Sequence, residues 1–426
     1  MKSAHHIGVS VACLMLSGCV WDFGGDSDDL SAGERLGKRL FDDTDLSLQR
    51  NQACAACHGL RAGGTGPEAI INAHGAVYEG SVAGRFGNRK PPSTTYATFA
   101  PLFTYDASTG FVGGNFWDGR ATGWKLGSPA ADQAQGPFLN PVEQALPDSE
   151  ALVCRVCSSD YGDLFRKVWG KSACEDSEKG YADIARSIAT YEASNEVNAF
   201  SSKYDAYLAG KVMLSKTEKT GLDLFTGRAK CSGCHVLEGA PPVLTDFTFD
   251  NLGVPPNPEN PFYGMDKVTI DGQPINPAGA DWVDIGLAGF IEQLVQDAGW
   301  RQLPYVPAEM LGLDLASMIE ENRGKQRVPT LRNVDRRPTA DFVKAYGHNG
   351  YFKSLNGIVH FYNTRDVLPR CDGRLTEQEA LAQKCWPAPE VSENINQSEL
   401  GNLGLSADEE EAIVAFLGTL SDGCNK

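Results

Sequence analysis

Cys54-Ala55-Ala56-Cys57-His58 and, later in the chain, Cys231-Ser232-Gly233-Cys234-His235 are two copies of one pattern. Two thiols at this spacing add to the vinyl groups of a porphyrin, and a histidine directly after the second is then held beneath the metal. A thioredoxin-like redox pair needs no such histidine, yet both copies end in one. The pattern predicts two covalently attached c-type haems, one on Cys54 and Cys57, one on Cys231 and Cys234. His58 and His235 are the expected iron ligands.

A second repeat precedes each motif. Leu30-Ser31-Ala32-Gly33-Glu34 runs through Gly37 to Leu40-Phe41, and Leu214-Ser215-Lys216-Thr217-Glu218 runs through Gly221 to Leu224-Phe225. Ser and Glu three apart form a capping box, which satisfies free N–H groups in a first helical turn. Each helix then delivers the chain to a haem motif. The repeat divides the chain into an N-terminal haem domain, 30–210, and a C-terminal one, 211–426. Tyr181, Ile184, Ile188 and Tyr191 fall at helical spacing, as do Ile413, Phe416, Leu417 and Leu420 after a third box, Ser406 to Glu409. Between Thr245 and Leu303 the chain is rich in Pro, Gly and Asn, and strand signals are sparse. The expectation is a mostly α protein with long loops.

The N-terminus reads as an export signal. Lys2 precedes an apolar stretch, Ile7 to Leu16, and Leu16-Ser17-Gly18-Cys19 forms a lipoprotein cleavage box. Residues 1–18 are then the signal peptide, and 19–29, including the acidic Asp22–Asp29, a tether anchored by lipid at Cys19. The stretch is too short to span a bilayer, so contact with a membrane is expected through that anchor alone. The mature protein would be periplasmic or associated with the outer membrane. Six further cysteines, Cys154, Cys157, Cys174, Cys371, Cys385 and Cys424, are disulfide candidates in that oxidising compartment. Cys371 and Cys385, bracketing one loop, are the first expected pair. Cys154-Arg155-Val156-Cys157 offers a metal or redox reading instead, without a second ligand pair nearby. A net charge of −17 argues against a nucleic-acid partner.

Phe116-Trp117-Asp118-Gly119-Arg120, Gln133-Ala134-Gln135-Gly136-Pro137 and Asn140-Pro141-Val142-Glu143 resemble segments of the bacterial dihaem cytochrome c peroxidase/MauG superfamily. So do Val328-Pro329-Thr330-Leu331-Arg332-Asn333 and Tyr346-Gly347-His348-Asn349-Gly350. The resemblance covers nearly the whole mature chain in the same order. It implies two cytochrome c-like domains with the haems at or near their interface. It further implies reaction with hydrogen peroxide at the first haem and a redox partner protein or protein substrate.

Residue by residue, the resemblance makes Trp117 the indole between the haems, Glu143 the acid of the peroxide pocket and Gln133 its amide. Tyr362, in Val359-His360-Phe361-Tyr362-Asn363, falls where scavenging peroxidases carry an axial Met and MauG-like enzymes a Tyr. A phenolate favours the more oxidised iron. His360, two positions away, is the alternative ligand. His74 stands where the scavenging members carry a displaceable ligand to the first iron. His348, Arg120 and Arg332 are expected beside the cofactors rather than on the irons. Calcium between the domains is common in the family, but Lys90 stands near the position of an expected Asn ligand, with Asn88 close by, so no ligands are assigned. A homodimer is compatible with the resemblance. Three functions follow: a MauG-like oxidoreductase acting on a partner through Trp117, a peroxidase using a small cytochrome or cupredoxin as donor, and a non-catalytic electron carrier.

Overall fold

The computed structural model describes residues 20–21 and 29–425; the signal segment, Cys19 and most of the tether lie outside them. Both capping boxes form. In α1 (Ala32–Asp42) Ser31 Oγ accepts from the Glu34 amide, while the Glu34 carboxylate accepts from the Ser31 amide at 2.7 Å. Ser215 and Glu218 repeat this at the start of a helix over Lys216–Thr226. A third box caps the last long helix, Ala407–Gly418.

These helices cross partners at the repeat's glycines. We name Pro129–Leu139 α2, Ser149–Ser158 α3, Ser177–Glu192 α4, Lys216–Thr226 α5, Leu287–Gln296 α6, Leu355–Thr364 α7 and Ala407–Gly418 α8. A Cβ on Gly37 of α1 would lie 2.0 Å from Ser187 O of α4. One on Gly221 of α5 would lie 1.9 Å from Ala412 O of α8. Only glycine lets these backbones meet so closely. Each crossing anchors an apolar cluster: Leu36, Leu40, Phe41, Ile184, Ile188 and Tyr191 in the first half, and Leu222, Phe225, Ile413, Phe416 and Leu417 in the second.

A third cluster, around Phe103, Trp124, Phe249, Leu287, Ile291 and Trp300, draws on both halves of the chain. Half of its buried residues lie in the stretch that the sequence marks as loop, where α6 runs through it. Among the described residues strands are two or three residues long and pair in twos, as Thr104–Asp106 does with Gly110–Val112. No described helix is long and apolar enough to cross a membrane.

Cys371 bonds Cys385, as expected. The Cys154–Cys157 metal or redox reading fails, because Cys157 is joined to Cys174 and Cys154 is a free, exposed thiol on α3. Cys154 also drops out of the set of disulfide candidates, whereas Cys424 is disulfide-bonded.

Candidate haem sites and the residues between them

Each Cys-x-x-Cys-His segment is a single tight turn. His58 N donates to Cys54 O at 3.0 Å, and His235 N to Cys231 O at 2.9 Å. The turn fixes one edge of each imidazole: His58 Nδ1 lies 3.1 Å from Gly64 O, and His235 Nδ1 3.2 Å from Leu244 O. A carbonyl can only accept, so Nδ1 carries the proton and Nε2 keeps its lone pair for a metal. Burial lowers both rings to about 4, which keeps them in the neutral, ligating form.

Each histidine lines its own cavity, with about 1030 Å³ of empty space around His58 and about 1680 Å³ around His235. The second cavity is also lined by three buried basic side chains, Lys90, Lys344 and Arg327, none paired with a protein carboxylate among the described residues, and burial lowers all three, Lys90 to about 7. Isolated buried charges are costly, and a haem brings carboxylates of its own. Thiols, imidazole, space and unpaired cations thus fit a haem in each cavity.

Gln133 of α2 and Glu143, just beyond that helix, line the first cavity with Arg120. Burial raises the Glu143 carboxyl above the ordinary range, with the Arg120 charge opposing it. Arg120 also pairs with Asp118 at 2.7 Å and lies 3.9 Å from the centre of the Phe116 ring. Glu192, at the end of α4, was not anticipated. It faces the same cavity, 3% exposed, with no side-chain hydrogen bond among the described residues, and burial pushes it up to about 8.

Tyr362 of α7 lines the second cavity with Cys231, Cys234 and His235, and burial holds its phenol above the usual range. His360 turns away and meets Glu410 at 3.1 Å, outside that cavity. His348 also lines it, with Nε2 3.3 Å from Glu390 and 3.9 Å from Asp284. Arg332 is wholly buried, donating to both Asp205 oxygens at 2.6 and 2.8 Å and to Pro242 O.

Trp117 and Lys90 line both cavities. The indole N–H donates to Lys90 O at 2.9 Å. His74 is not part of this assembly: its side chain is 64% exposed, and its Nδ1 meets Glu259 at 2.9 Å. Sequence motifs mark Glu143, Gln133, Trp117 and Tyr362. Glu192 carries no such mark, and Lys90 is visible only as a departure from the family pattern.

The family model for di-haem cytochrome c peroxidase matches residues 31–213. The methylamine utilization protein MauG of Paracoccus denitrificans is 31% identical over 403 residues, spanning 93% of this chain and 89% of that protein. Cytochrome-c peroxidase IdrP1 of Pseudomonas sp. is 25% identical over 388 residues, 91% of this chain and 80% of that one. Among solved structures, the diheme peroxidase BthA from Burkholderia thailandensis matches with a TM-score of 0.68 at 26% identity, covering 95% of this chain and 88% of that one. With a match to MauG along almost its full length and two haem-attachment turns in separate cavities, the chain belongs to the dihaem cytochrome c peroxidase/MauG family, whose members carry two c-type haems.

Proposed function

We propose that the protein is a hydrogen-peroxide-dependent dihaem oxidoreductase of the MauG kind, oxidising a partner protein or an external donor. The observation that carries this reading is one indole, Trp117, in the walls of two cavities, with Glu143 and Gln133 facing the one that holds His58 and Tyr362 facing the one that holds His235. When bound, each haem supplies an iron able to change oxidation state and, where one coordination position stays open, to bind peroxide. His58 and His235 would hold the irons through Nε2. Glu143, whose carboxyl burial raises above the ordinary range, would take a proton from one peroxide oxygen and return it to the other. Gln133 orients the peroxide through its amide. Tyr362 would offer the second iron an oxygen donor, and Trp117 would carry the electron between the sites.

The test is the absorption spectrum of the diferric protein before and after one equivalent of peroxide. The wild type is expected to give a long-lived oxidised state shared by both haems. Tyr362→Phe should abolish that state while leaving both haems covalently attached; no change would mean that the phenol is not the ligand. The scavenging alternative requires His74 on the first iron and activity only after half-reduction. The exposed ring and its contact with Glu259 count against it. A non-catalytic carrier would leave Glu143 and Gln133 facing the first cavity without a role.

A further inference from the structure

Lys90 and Trp117 are the residues shared by the two cavity walls among the described residues. Trp117 has a role in the reading above, and Lys90 has none. Its side chain is 7% exposed, and every acceptor around its ammonium is neutral: Thr65 Oγ1 and Pro91 O, each at 2.9 Å. The backbone of the same residue is pinned twice, its N–H donating to His348 O at 2.9 Å and its carbonyl accepting the Trp117 indole N–H. The ammonium lies 5.8 Å from the centre of the Trp117 ring. Ammonium and indole are therefore linked through the backbone of one residue.

We propose that Lys90 is a charge-setting positioning residue: its ammonium keeps Trp117 a path for the electron and stops it becoming the place where oxidation rests. This rests on the two-site reading above. The electron balance is simple. Peroxide, with two electrons and two protons, becomes two waters; one electron comes from each haem site, and the one from the second site crosses the indole, which ends neutral. If the indole kept the deficit it would be a cation facing a cation. It could not relieve that charge by deprotonation, because its N–H points at a backbone carbonyl, a poor base. Coulomb's law at this separation and an effective dielectric of about 20 sets the penalty at roughly a hundredfold in the population of oxidised indole. Burial lowers the amine to about 7, and its protein acceptors are neutral, so no carboxylate of the chain cancels the ammonium where it faces the indole.

The experiment uses the intact protein with both haems attached and compares wild type with Lys90→Gln, Lys90→Met and Lys90→Arg. Two quantities are read: the reduction potential of each haem, and the tryptophan-radical resonance after one equivalent of peroxide. The neutral variants should lower both potentials, because a lost positive charge favours the ferric state. They should also raise the radical signal from near background by roughly a hundredfold. Trp117→Phe in the same background should remove that signal, and Lys90→Arg should behave as wild type. Wild-type potentials in a neutral variant overturn the assignment, as does a strong Trp117 radical in the wild type. A protein that peroxide oxidises at one site only would refute the two-site reading instead, and the potentials alone would then decide the role of Lys90.

Discussion

Two carboxyls face the first cavity, and burial raises both, but only one carries a mark in the sequence. Glu143 follows Asn140-Pro141-Val142, a run with family resemblance, whereas Glu192 merely ends an amphipathic helix whose legible positions are its apolar ones, Ile184, Ile188 and Tyr191. No local pattern distinguishes a glutamate at a helix end facing water from one facing a cavity, because the difference lies in what packs around it. The two should also separate by experiment. Glu143→Gln is expected to keep both haems and slow the reaction with peroxide by on the order of 10²–10⁴-fold in stopped flow; an unchanged rate would assign the proton elsewhere. Glu192 should show itself through stability. Its folded value of about 8 lies above the ordinary 4.5, so the folded chain holds a proton there that the unfolded chain has released. Stability from this group is complete below about 4.5 and falls as pH rises through about 8. Glu192→Gln should remove that fall, and a melting temperature that drops equally in both proteins over that range would reject the assignment.

Helix starts were legible because a capping box is local: Ser31 with Glu34, and Ser215 with Glu218, satisfy each other within one turn. The glycines three positions on were visible in the repeat, but their purpose was not, since it depends on helices far along the chain. Gly37 and Gly221 take a neighbouring backbone oxygen at a distance no side chain tolerates. Alanine at either is expected to force the crossing apart, costing about 1–3 kcal/mol or more, with Gly37→Ala disturbing the His58 haem and Gly221→Ala the His235 haem. Thermal unfolding and the separate haem spectra would check this; equal disturbance of both spectra by one substitution would contradict independent crossings. The stretch from Thr245 to Leu303 was less legible. Leu287, Ile291 and Leu294 do fall on one face of α6, but they stand among Pro-, Gly- and Asn-rich turns too short to show a period. The apolar partners of that face include Phe103 and Trp124, which belong to the other half of the chain.

At the scale of the whole molecule, the repeat announces two haem modules and says nothing of how they are joined. One joint is ionic and buried. Arg89, from the first half, donates through Nε and Nη2 to both oxygens of Asp284, from the second, each at 2.6 Å, and also pairs with Asp118 beside Trp117. Asp284 in turn lies near His348, and its N–H donates to Glu390. Partners 195 positions apart leave no trace in a local pattern, and a lone Arg or Asp in a loop reads as solvated. A buried pair gains less from its own attraction than it loses when one member is removed. Asp284→Asn should therefore destabilise the protein by about 3–5 kcal/mol, because the Arg89 guanidinium stays buried with one carboxylate where it had two. Replacing both members, Arg89→Met with Asp284→Leu, should restore most of that loss, since no buried charge is then left without its partner and Asp118 retains Arg120. Denaturant unfolding of the two single variants and the double measures the coupling. A double variant that loses the sum of the single losses would show that the two residues act separately, and the joint between the halves would have to be sought in the apolar cluster around Phe103 and Ile291.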